Sequence, residues 1–475
     1  MIDPERFRLP ALLFCGLVFF SSSLVAQNQR PAEALTPLDR YVHKEDPAYG
    51  FRVVETMKGE GYTYVHLRLA SQTWRSEKEV DRVLWEHDLT VLIPDKVTSS
   101  TGFLMIGGGS HRPGEKPRQD KRVLSIAAAT GTVVANLGQV PSQPLVFSDD
   151  RVRRVEDSAI AYTWDKFLKT GEAEWILQLP MTKSAVRAMD AITEFAGSEK
   201  GGKNKVDQFV VAGGSKRGWT TWLTAATDKR VVGIAPIVID MLNVVPSFKH
   251  HYKAYGFFAP AVQDYTNMKI MQWMDSKEYR ALLDIVEPYE YRQRLTLPKL
   301  LLNSAGDQFF LPDSSQFYVD DLQGETHLRY VPNSDHSLGG TDAVESLLAF
   351  YGSILKGKKR PEYRWKITEG GSIEVETKEA PAKVKVWQAS NPKARDFRLE
   401  TIGNSWKSED LPLAEDGKYS VTVPAPEKGW TAFFVELTYP GLPKLKVTSG
   451  IKVIPNVYPH KDFKPTSQPR GFLSK

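Results

Sequence analysis

The stretch QFVVAGGSKRGWTTWLTAATD, residues 208–228, is the part of the sequence from which the fold is predicted. Its first half is an apolar run of strand length that ends in two glycines, and its second half has the pattern of a helix. Ser215 stands at the junction. A tight strand-to-helix turn exposes a serine hydroxyl, and the free N–H groups of the new helix lie beside it. The stretch therefore predicts a nucleophile elbow, although Arg217 stands where the G-x-S-x-G pattern has its last glycine.

Apolar runs of strand length alternate with helix patterns between about residues 50 and 355. Strands that are apolar nearly throughout and are separated by helices favour a mostly parallel sheet with both faces covered. We therefore predict an α/β fold, with an α/β-hydrolase-like domain over residues 27–358. The other strand-like runs are LTVLIP (89–94), FLMIGGG (103–109), GTVVANL (131–137), VVGIAPIVID (231–240) and KLLLNSAGD (299–307).

The pattern changes after a charged, proline-bearing junction at residues 355–365. Alternating segments follow, such as KVKVWQA (383–389) and TAFFVELTY (431–439), with turn residues between them and no helix pattern. Short strands at this spacing predict a β-sandwich of immunoglobulin or fibronectin type over residues 359–460. The polar, proline-rich residues 461–475 predict a flexible tail.

The N-terminus has the pattern of a signal peptide over residues 1–26. Two arginines precede the apolar run of residues 9–20, and the small residue Ala26 stands at a suitable cleavage point. The run is too short to cross a bilayer of about 30 Å. The sequence has one cysteine, Cys15, and it lies in this segment, so we expect a mature chain without disulfides or cysteine metal sites. We expect an exported protein of the bacterial periplasm or the exterior.

Composition and charge narrow the classes of partner. The 475 residues carry a formal net charge of +5 with both signs interspersed, which is not the clustered basic face of a nucleic-acid binder. His250 and His251 are adjacent and have no carboxylate at metal-ligand spacing, so we expect no metal and no cofactor. The expected partner is a small-molecule, peptide or glycan-linked substrate, and the sequence makes no prediction of oligomeric state.

Two later stretches supply partners for Ser215. Asp307 follows the strand-like run KLLLNSA, and His336 lies in the loop NSDHSLGG after another short strand. The chain order serine, aspartate, histidine is that of α/β-hydrolases. A serine hydroxyl needs a base to accept its proton, and the imidazole needs a carboxylate to fix its tautomer and stabilise its cation. We therefore predict a catalytic triad of these three residues, with Asp240, at the end of another strand, as an alternative acid.

An oxyanion hole needs two hydrogen-bond donors. The backbone N–H of Lys216, the residue after the serine, is the first candidate. The second is Gly108 or Gly109 in the glycine-rich loop IGGGSHRPGE, residues 106–115. A simple flexible turn is the alternative interpretation of that loop. Because Arg217 replaces a glycine, the turn must differ slightly from the usual elbow, with Gly218 making the close approach.

Three stretches resemble the PhoPQ-activated pathogenicity-related protein family: residues 211–243, the element SAGDQFFLPDSS (304–315) and residues 384–398. The resemblance implies an α/β-hydrolase-like domain, an exported bacterial protein, and a serine, aspartate and histidine set at Ser215, Asp307 and His336. The family name records regulation and virulence and does not define a reaction.

The turn SKRG, residues 215–218, also resembles the S-R-x-G turn of glucuronoyl esterases. That likeness implies that the Lys216 side chain helps to hold the oxyanion. Arg217 and Asp240 are then possible contacts to an anionic or carbonyl-rich substrate.

The predicted function is an exported serine hydrolase, an esterase or a peptidase/amidase, acting through an acyl-enzyme on cell-envelope or extracellular material. An aromatic and methionine-rich insertion at residues 253–274 either caps the site or packs the core. Two alternatives stay open. One is a non-catalytic secreted binding or signalling protein with the same fold. The other is a carbohydrate-binding protein that uses its C-terminal sandwich, with Trp387 or Trp406 as stacking platforms.

Overall fold

The structure, a computed structural model, describes residues 35–112, 121–467 and 469–474. The predicted signal peptide, residues 1–26, lies outside the described residues. In chain order, the strands up to residue 331 are β1 (Gly50–Lys58), β2 (Tyr62–Thr73), β3 (Leu84–Pro94), β4 (Thr101–Ile106), β5 (Val134–Leu137), β6 (Leu145–Val146), β7 (Arg153–Arg154), β8 (Gln208–Gly214), β9 (Val231–Ile237), β10 (Lys299–Ser304) and β11 (Thr326–Val331).

Nine of these strands form the central sheet of the described residues, in the order β1-β2-β3-β5-β4-β8-β9-β10-β11. The strands from β5 to β11 in this order are parallel, and the first three pair antiparallel. All residues of β4 and of β10 are buried, as expected for central strands with both faces covered. β1 is an edge strand, and most of its side chains are exposed.

Helices cover both faces of the sheet and form an insertion above its carboxyl edge. The α-helices are α1 (Pro37–His43), α2 (Lys121–Thr130), α3 (Glu156–Thr170), α4 (Gln178–Gly197), α5 (Lys216–Thr227), α6 (Val244–Tyr255), α7 (Gln263–Asn267), α8 (Lys277–Val286) and α9 (Ala343–Leu355). Short 3-10 segments are Ala173–Trp175, Pro260–Val262, Ile270–Trp273, Pro288–Tyr291, Ser314–Phe317 and Val319–Asp321. The insertion between β9 and β10 contains α6, α7 and α8. None of the helices in the described ranges has the length and apolar character needed to cross a membrane.

The C-terminal part consists of antiparallel strands, which confirms the prediction of a mostly parallel α/β sheet followed by an all-β region. Two sheets form, with the orders β12-β13-β16 and β15-β14-β17-β18, and β19 pairs with β17. The elements are β12 (Tyr363–Ile367), β13 (Ile373–Thr377), β14 (Lys383–Asn391), α10 (Leu399–Ile402), β15 (Lys407–Leu411), β16 (Lys418–Val421), β17 (Trp430–Tyr439), β18 (Leu445–Thr448) and β19 (Lys452–Ile454).

The C-terminal sheets share a hydrophobic core with the α/β part. Trp406 and Phe434 belong to the same buried cluster as the residues behind the central sheet. The Phe434 ring lies 6.4 Å from the ring of Tyr330 in β11. The backbone N–H of Tyr330 also donates to Thr448 Oγ1, at 3.0 Å. The two parts therefore meet along the β11 edge through buried contacts.

The tail beyond residue 460 makes defined contacts where the sequence predicts flexibility. The Phe463 ring lies 5.1 Å from Tyr252 and 5.0 Å from Phe258. The Phe472 ring lies 5.4 Å from Phe167 in α3. These aromatic side chains bury apolar surface, which holds the described tail residues against the insertion and α3.

Candidate active site

Ser215 occupies a strained turn between β8 and α5. Its φ and ψ are 58° and −129°, a region that non-glycine residues seldom adopt. The Ser215 N–H donates to the carbonyl of Ile237 at 2.8 Å, and the Ser215 carbonyl accepts from Trp219 at 3.0 Å. Strain of this kind costs about 1–3 kcal/mol and persists where the surroundings enforce it. The hydrogen bonds to β9 and α5 therefore hold the serine in the conformation of a nucleophile elbow.

Two glycines allow this turn to pack closely. A Cβ at Gly213 would lie 2.6 Å from the carbonyl oxygen of Arg217. A Cβ at Gly218 would lie 2.9 Å from the carbonyl oxygen of Gly213 and 2.9 Å from Ile239 Cγ2. Gly218 thus takes the role of the missing last glycine, so the elbow tolerates a large side chain at Arg217.

Asp307 and His336 come together because β10 and β11 are neighbouring parallel strands. Ser304 is in register with Val331 at the carboxyl ends of these strands. The loops that follow therefore leave the sheet side by side. His336 Nδ1 lies 2.8 Å from Asp307 Oδ2 and 3.0 Å from Oδ1. Asp307 is 4% exposed, so this hydrogen bond is shielded from water.

The His336 ring is fixed on several sides. Its backbone N–H donates to Gln308 Oε1 at 3.1 Å, and its ring centroid lies 4.3 Å from that of Phe309. With Nδ1–H donating to Asp307, Nε2 is the nitrogen left to accept a proton. Nε2 is buried and has no hydrogen-bond partner among the described residues.

Ser215 and His336 face a common region without a direct hydrogen bond between them in the described residues. Phe309 and Phe310 contact the His336 ring, with centroids at 4.3 and 6.0 Å, and line the same cavity as Ser215. Catalytic hydrogen bonds are often long or poorly aligned before substrate binds. The structure thus joins the aspartate to the histidine and brings the serine to a cavity beside them.

Asp307, and not the alternative acid Asp240, is the carboxylate hydrogen-bonded to His336. Asp240 is 3% exposed, and its two oxygens accept hydrogen bonds from the hydroxyls of Tyr318 and Tyr330, both at 2.5 Å. Burial raises the pKa of Asp240 to about 7, and the charges of Asp307 and Asp313 add to the rise.

The side chains of Lys216 and Arg217 bind carboxylates at the start of α3. Lys216 Nζ lies 2.9 Å from Glu156 Oε2 and 3.1 Å from Asp157 Oδ2. Arg217 Nη2 lies 2.7 Å from Glu156 Oε1. Burial alone would raise the pKa of Glu156, but Arg217 and Lys216 outweigh it and hold this pKa at about 2. These ion pairs fasten the elbow to α3.

The expected roles of these two basic side chains therefore change. The Arg217 guanidinium is turned inward, because Nε also donates to the carbonyl of Val140 and the group lies against Gly108. The guanidinium thus binds Val140 and Glu156 within the protein, whereas the sequence suggests a contact to substrate. The Lys216 ammonium is bound by two carboxylates, which leaves the backbone N–H as its donor to an oxyanion. As the first residue of α5, Lys216 has no intrahelical acceptor for that N–H.

The glycine-rich loop is held by its carbonyl groups. The carbonyls of Gly107 and Gly108 accept from the N–H groups of Val140 and Gln139, at 3.1 and 2.9 Å. Gln143 Nε2 donates to the carbonyl of Gly109 at 3.1 Å. In a trans peptide the N–H points opposite to the preceding carbonyl, so the amides of Gly108 and Gly109 point away from residues 139–143. This loop therefore presents ordered N–H donors on its other side.

Ser215 lines a cavity of about 40 Å³. The cavity lies between α3, the start of α5, the segments after β9 and β10, and the insertion. Most of its lining is aromatic or aliphatic. The lining residues are Asp157, Trp164, Ser215, Lys216, Trp219, Ile239, Met241, Val244, Phe248, Val262, Tyr265, Ile270, Met271, Tyr279, Phe309 and Phe310.

A comparison with protein families identifies the family of this chain. The model of the PhoPQ-activated pathogenicity-related protein family matches residues 38–398. The chain belongs to this family. The chain is also similar to autocrine proliferation repressor protein A of Dictyostelium discoideum. The two are 38% identical over 455 residues, which cover 89% of this chain and 91% of the relative.

The solved structures similar to this family member include two acetyl xylan esterases. The enzyme from Thermoanaerobacterium sp. is 14% identical, with a TM-score of 0.46, and the match covers 66% of this chain and 92% of the enzyme. The enzyme from Paenibacillus sp. R4 is 13% identical, also with a TM-score of 0.46, and the match covers 67% of this chain and 92% of the enzyme.

The structure also shows the surroundings of the other residues that the sequence singles out in this PhoPQ-related protein. Trp406 is 3% exposed and packs on Phe434, with ring centroids 5.3 Å apart, so it offers no stacking platform. Trp387 is half-buried, with the Lys385 ammonium 5.3 Å from its ring. His250 is hydrogen-bonded to Asp313 at 2.8 Å, and His251 accepts from the backbone of Ala259 at 3.0 Å.

Sequence reasoning missed the contacts that surround the elbow. From the sequence, Glu156 and Asp157 are recognisable only as acidic residues at the start of a helix, where such residues are common. Tyr265, whose hydroxyl donates to Asp157 Oδ1 at 3.0 Å, lies in the insertion that was assigned to either a cap or the core. No spacing rule connects positions so far apart in the chain, so the structure alone could identify these partners.

Proposed function

We propose that this protein is a serine hydrolase that cleaves an ester or amide bond through a covalent acyl-enzyme. Ser215 is the nucleophile, His336 the general base and then acid, and Asp307 the residue that orients and stabilises the imidazole. The observation that carries the proposal is the 2.8 Å hydrogen bond between half-buried His336 and buried Asp307, together with the strained elbow that presents Ser215 to the cavity lined by Phe309 and Phe310.

The chemistry follows from the groups present. Ser215 Oγ attacks the substrate carbonyl while His336 Nε2 accepts its proton, and Asp307 stabilises the imidazolium. The Lys216 N–H and an amide N–H of Gly108 or Gly109 stabilise the developing oxyanion by donating hydrogen bonds to it. The tetrahedral intermediate then collapses to the acyl-enzyme and expels the leaving group, which takes the proton from His336. A water molecule, activated by the same imidazole, then hydrolyses the acyl-enzyme.

The proposed location is outside the cytoplasm. The pattern of residues 1–26 supports export, and a mature chain without cysteine is compatible with an oxidising compartment. The proposed substrates are small molecules, peptides or glycan-linked groups of the cell envelope or the exterior.

A fluorophosphonate probe tests the mechanism, because it labels only an activated serine. We expect labelling at Ser215, identified by mass spectrometry of the digested protein. Ser215→Ala should abolish it, and His336→Ala should slow it by a factor of about 10³ or more. Ser337→Ala, in the same loop as His336, is the matched control and should label normally. Absence of labelling in wild-type protein with a native circular dichroism spectrum would disprove the proposal.

A second candidate is a secreted signalling protein that keeps the hydrolase fold. The observation in its favour is the 38% identity with a relative named as an autocrine proliferation repressor. Ser215→Ala separates the two candidates. Repression of cell proliferation that survives this substitution would indicate signalling by the folded surface, whereas repression lost together with labelling would indicate that signalling depends on hydrolysis.

A further inference from the structure

Buried side chains of the insertion line the cavity beside Ser215. Val244, Ile270 and Tyr279 line it and are 2%, 1% and 2% exposed. A leaving group must depart to solvent before water attacks, but the acyl group stays on the serine through both half-reactions. A small cavity lined by buried side chains at the nucleophile therefore suits the acyl group better than the leaving group.

The polar groups of this cavity do not offer a free charge. Asp157 Oδ1 accepts from the Tyr265 hydroxyl at 3.0 Å, and Oδ2 lies 3.1 Å from Lys216 Nζ. Lys216 Nζ is also 2.9 Å from Glu156 Oε2. A charged acyl group would have to displace one of these ion pairs. The remaining surface is aromatic or aliphatic, which favours an uncharged, apolar acyl group.

The size of the cavity limits the length of that group. Its volume is about 40 Å³. One water-sized group needs about 10–15 Å³ by this measure, so the space holds about three such groups beyond the serine. Met271 lines the cavity and is 5% exposed, so its side chain takes up space that a longer chain would need.

We propose that the cavity binds the acyl group of short-chain, uncharged carboxylic esters, from acetyl to butyryl, and that Met271 limits the chain length. This inference rests on the proposed function of Ser215 as nucleophile. It adds a substrate class that is defined by the acyl side and leaves the alcohol unrestricted. Removing the Met271 side chain should therefore extend the range of acyl chains and leave the preference for alcohols unchanged.

The experiment measures kcat/KM for p-nitrophenyl acetate, butyrate, hexanoate and octanoate with the full mature chain. Wild type should prefer acetate and butyrate. Met271→Ala should raise the ratio of hexanoate to butyrate activity by about tenfold or more, since each methylene in an apolar pocket changes the rate by a factor of that order. Val262→Phe, which adds volume at another lining position, should shift the preference towards acetate.

Met274→Ala is the matched control. Met274 is 4% exposed in the same stretch but does not line the cavity, so its loss should lower stability without changing the chain-length ratio. A series of alkyl butyrates with varied alcohols should respond alike in wild type and Met271→Ala. Failure of wild type to react with fluorophosphonate would disprove the hydrolase itself. Normal labelling with a preference for octanoate, or equal ratios in Met271→Ala and Met274→Ala, would overturn only the acyl-pocket inference.

Discussion

At the scale of single residues, Gly218 decides whether the elbow can close. A Cβ there would meet two backbone oxygens, at 2.9 and 3.1 Å, and backbone cannot move as a side-chain end can. We expect Gly218→Ala to lower the free energy of unfolding by about 1–3 kcal/mol and to slow labelling of Ser215. Gly214→Ala is the control, because a Cβ at Gly214 has no atom within 4 Å. Urea unfolding gives the free energy of unfolding of both variants, and equal values would show that the close approach at Gly218 does not limit the side chain.

Asp240 gives a prediction about pH. An unfolded aspartate has a pKa near 3.9, whereas burial raises the pKa of Asp240 to about 7. Between these values the unfolded chain loses the proton and the folded protein keeps it, so wild-type stability falls as the pH rises from about 4 to about 7. Asp240→Asn does not titrate. The free energy of unfolding of the variant minus that of wild type should therefore rise over this range and level off above it. Urea unfolding in a pH series checks this, and a constant difference would refute it.

At the scale of elements, the segment before β15 is hydrogen-bonded to the loops that carry Asp307 and His336. The N–H of Leu399 donates to the carbonyl of Gly306, next to Asp307, at 2.9 Å. Asn333, in the loop of His336, donates to the carbonyl of Trp406 and accepts from its N–H, both at 2.9 Å. Residues of the C-terminal part thereby hold the loops of Asp307 and His336 from outside the α/β sheet.

Asn333 tests this positioning role. Its φ is 50°, so Asn333→Gly removes both hydrogen bonds without adding backbone strain. We expect kcat to fall about tenfold with little change in KM, because His336 is less well placed while the substrate cavity is unchanged. Asn333→Asp keeps the acceptor for the Trp406 N–H and should recover part of kcat. Asn204→Gly, which removes a hydrogen bond to Gly201 far from the site, should leave kcat unchanged. A fall in stability alone, with normal kcat, would count against positioning.

The elements that were predicted correctly from sequence are those with local signals. The strand before Ser215 and the helix after it are both indicated within one stretch, by the spacing of apolar residues and by the glycines between them. The antiparallel region is indicated by short runs in which apolar and polar residues alternate. Asp307 and His336 could be paired because chain order and strand ends are readable. The partner of Arg217 could not be predicted, since Glu156 is 61 positions away and binds it only through the packing of α3. Asp240 and Asp307 both follow strands, and only the register of β10 with β11 separates their roles.

At the scale of the whole molecule, the α/β part and the C-terminal sheets behave as one body. Thr36–Lys475 forms a single compact unit. Arg395, before α10, pairs with Asp313 in the loop after β10, and both are buried. Removing one member of a buried ion pair leaves an uncompensated charge, so neither part can be detached without a large cost in stability. The C-terminal sheets and the α/β part therefore belong to one compact unit.

This shared core predicts one cooperative unfolding transition. The chain without residues 1–26 contains no cysteine, so a single introduced cysteine can carry a fluorescent label at an exposed position. Glu199→Cys reports on the α/β part and Glu409→Cys on the C-terminal sheets, and both positions are exposed. The two labels, and the loss of fluorophosphonate reactivity at Ser215, should give the same urea midpoint, because coincident probes define a two-state transition. An earlier midpoint at Glu409 that leaves Ser215 reactive would show that the sheets unfold alone and do not support the catalytic loops.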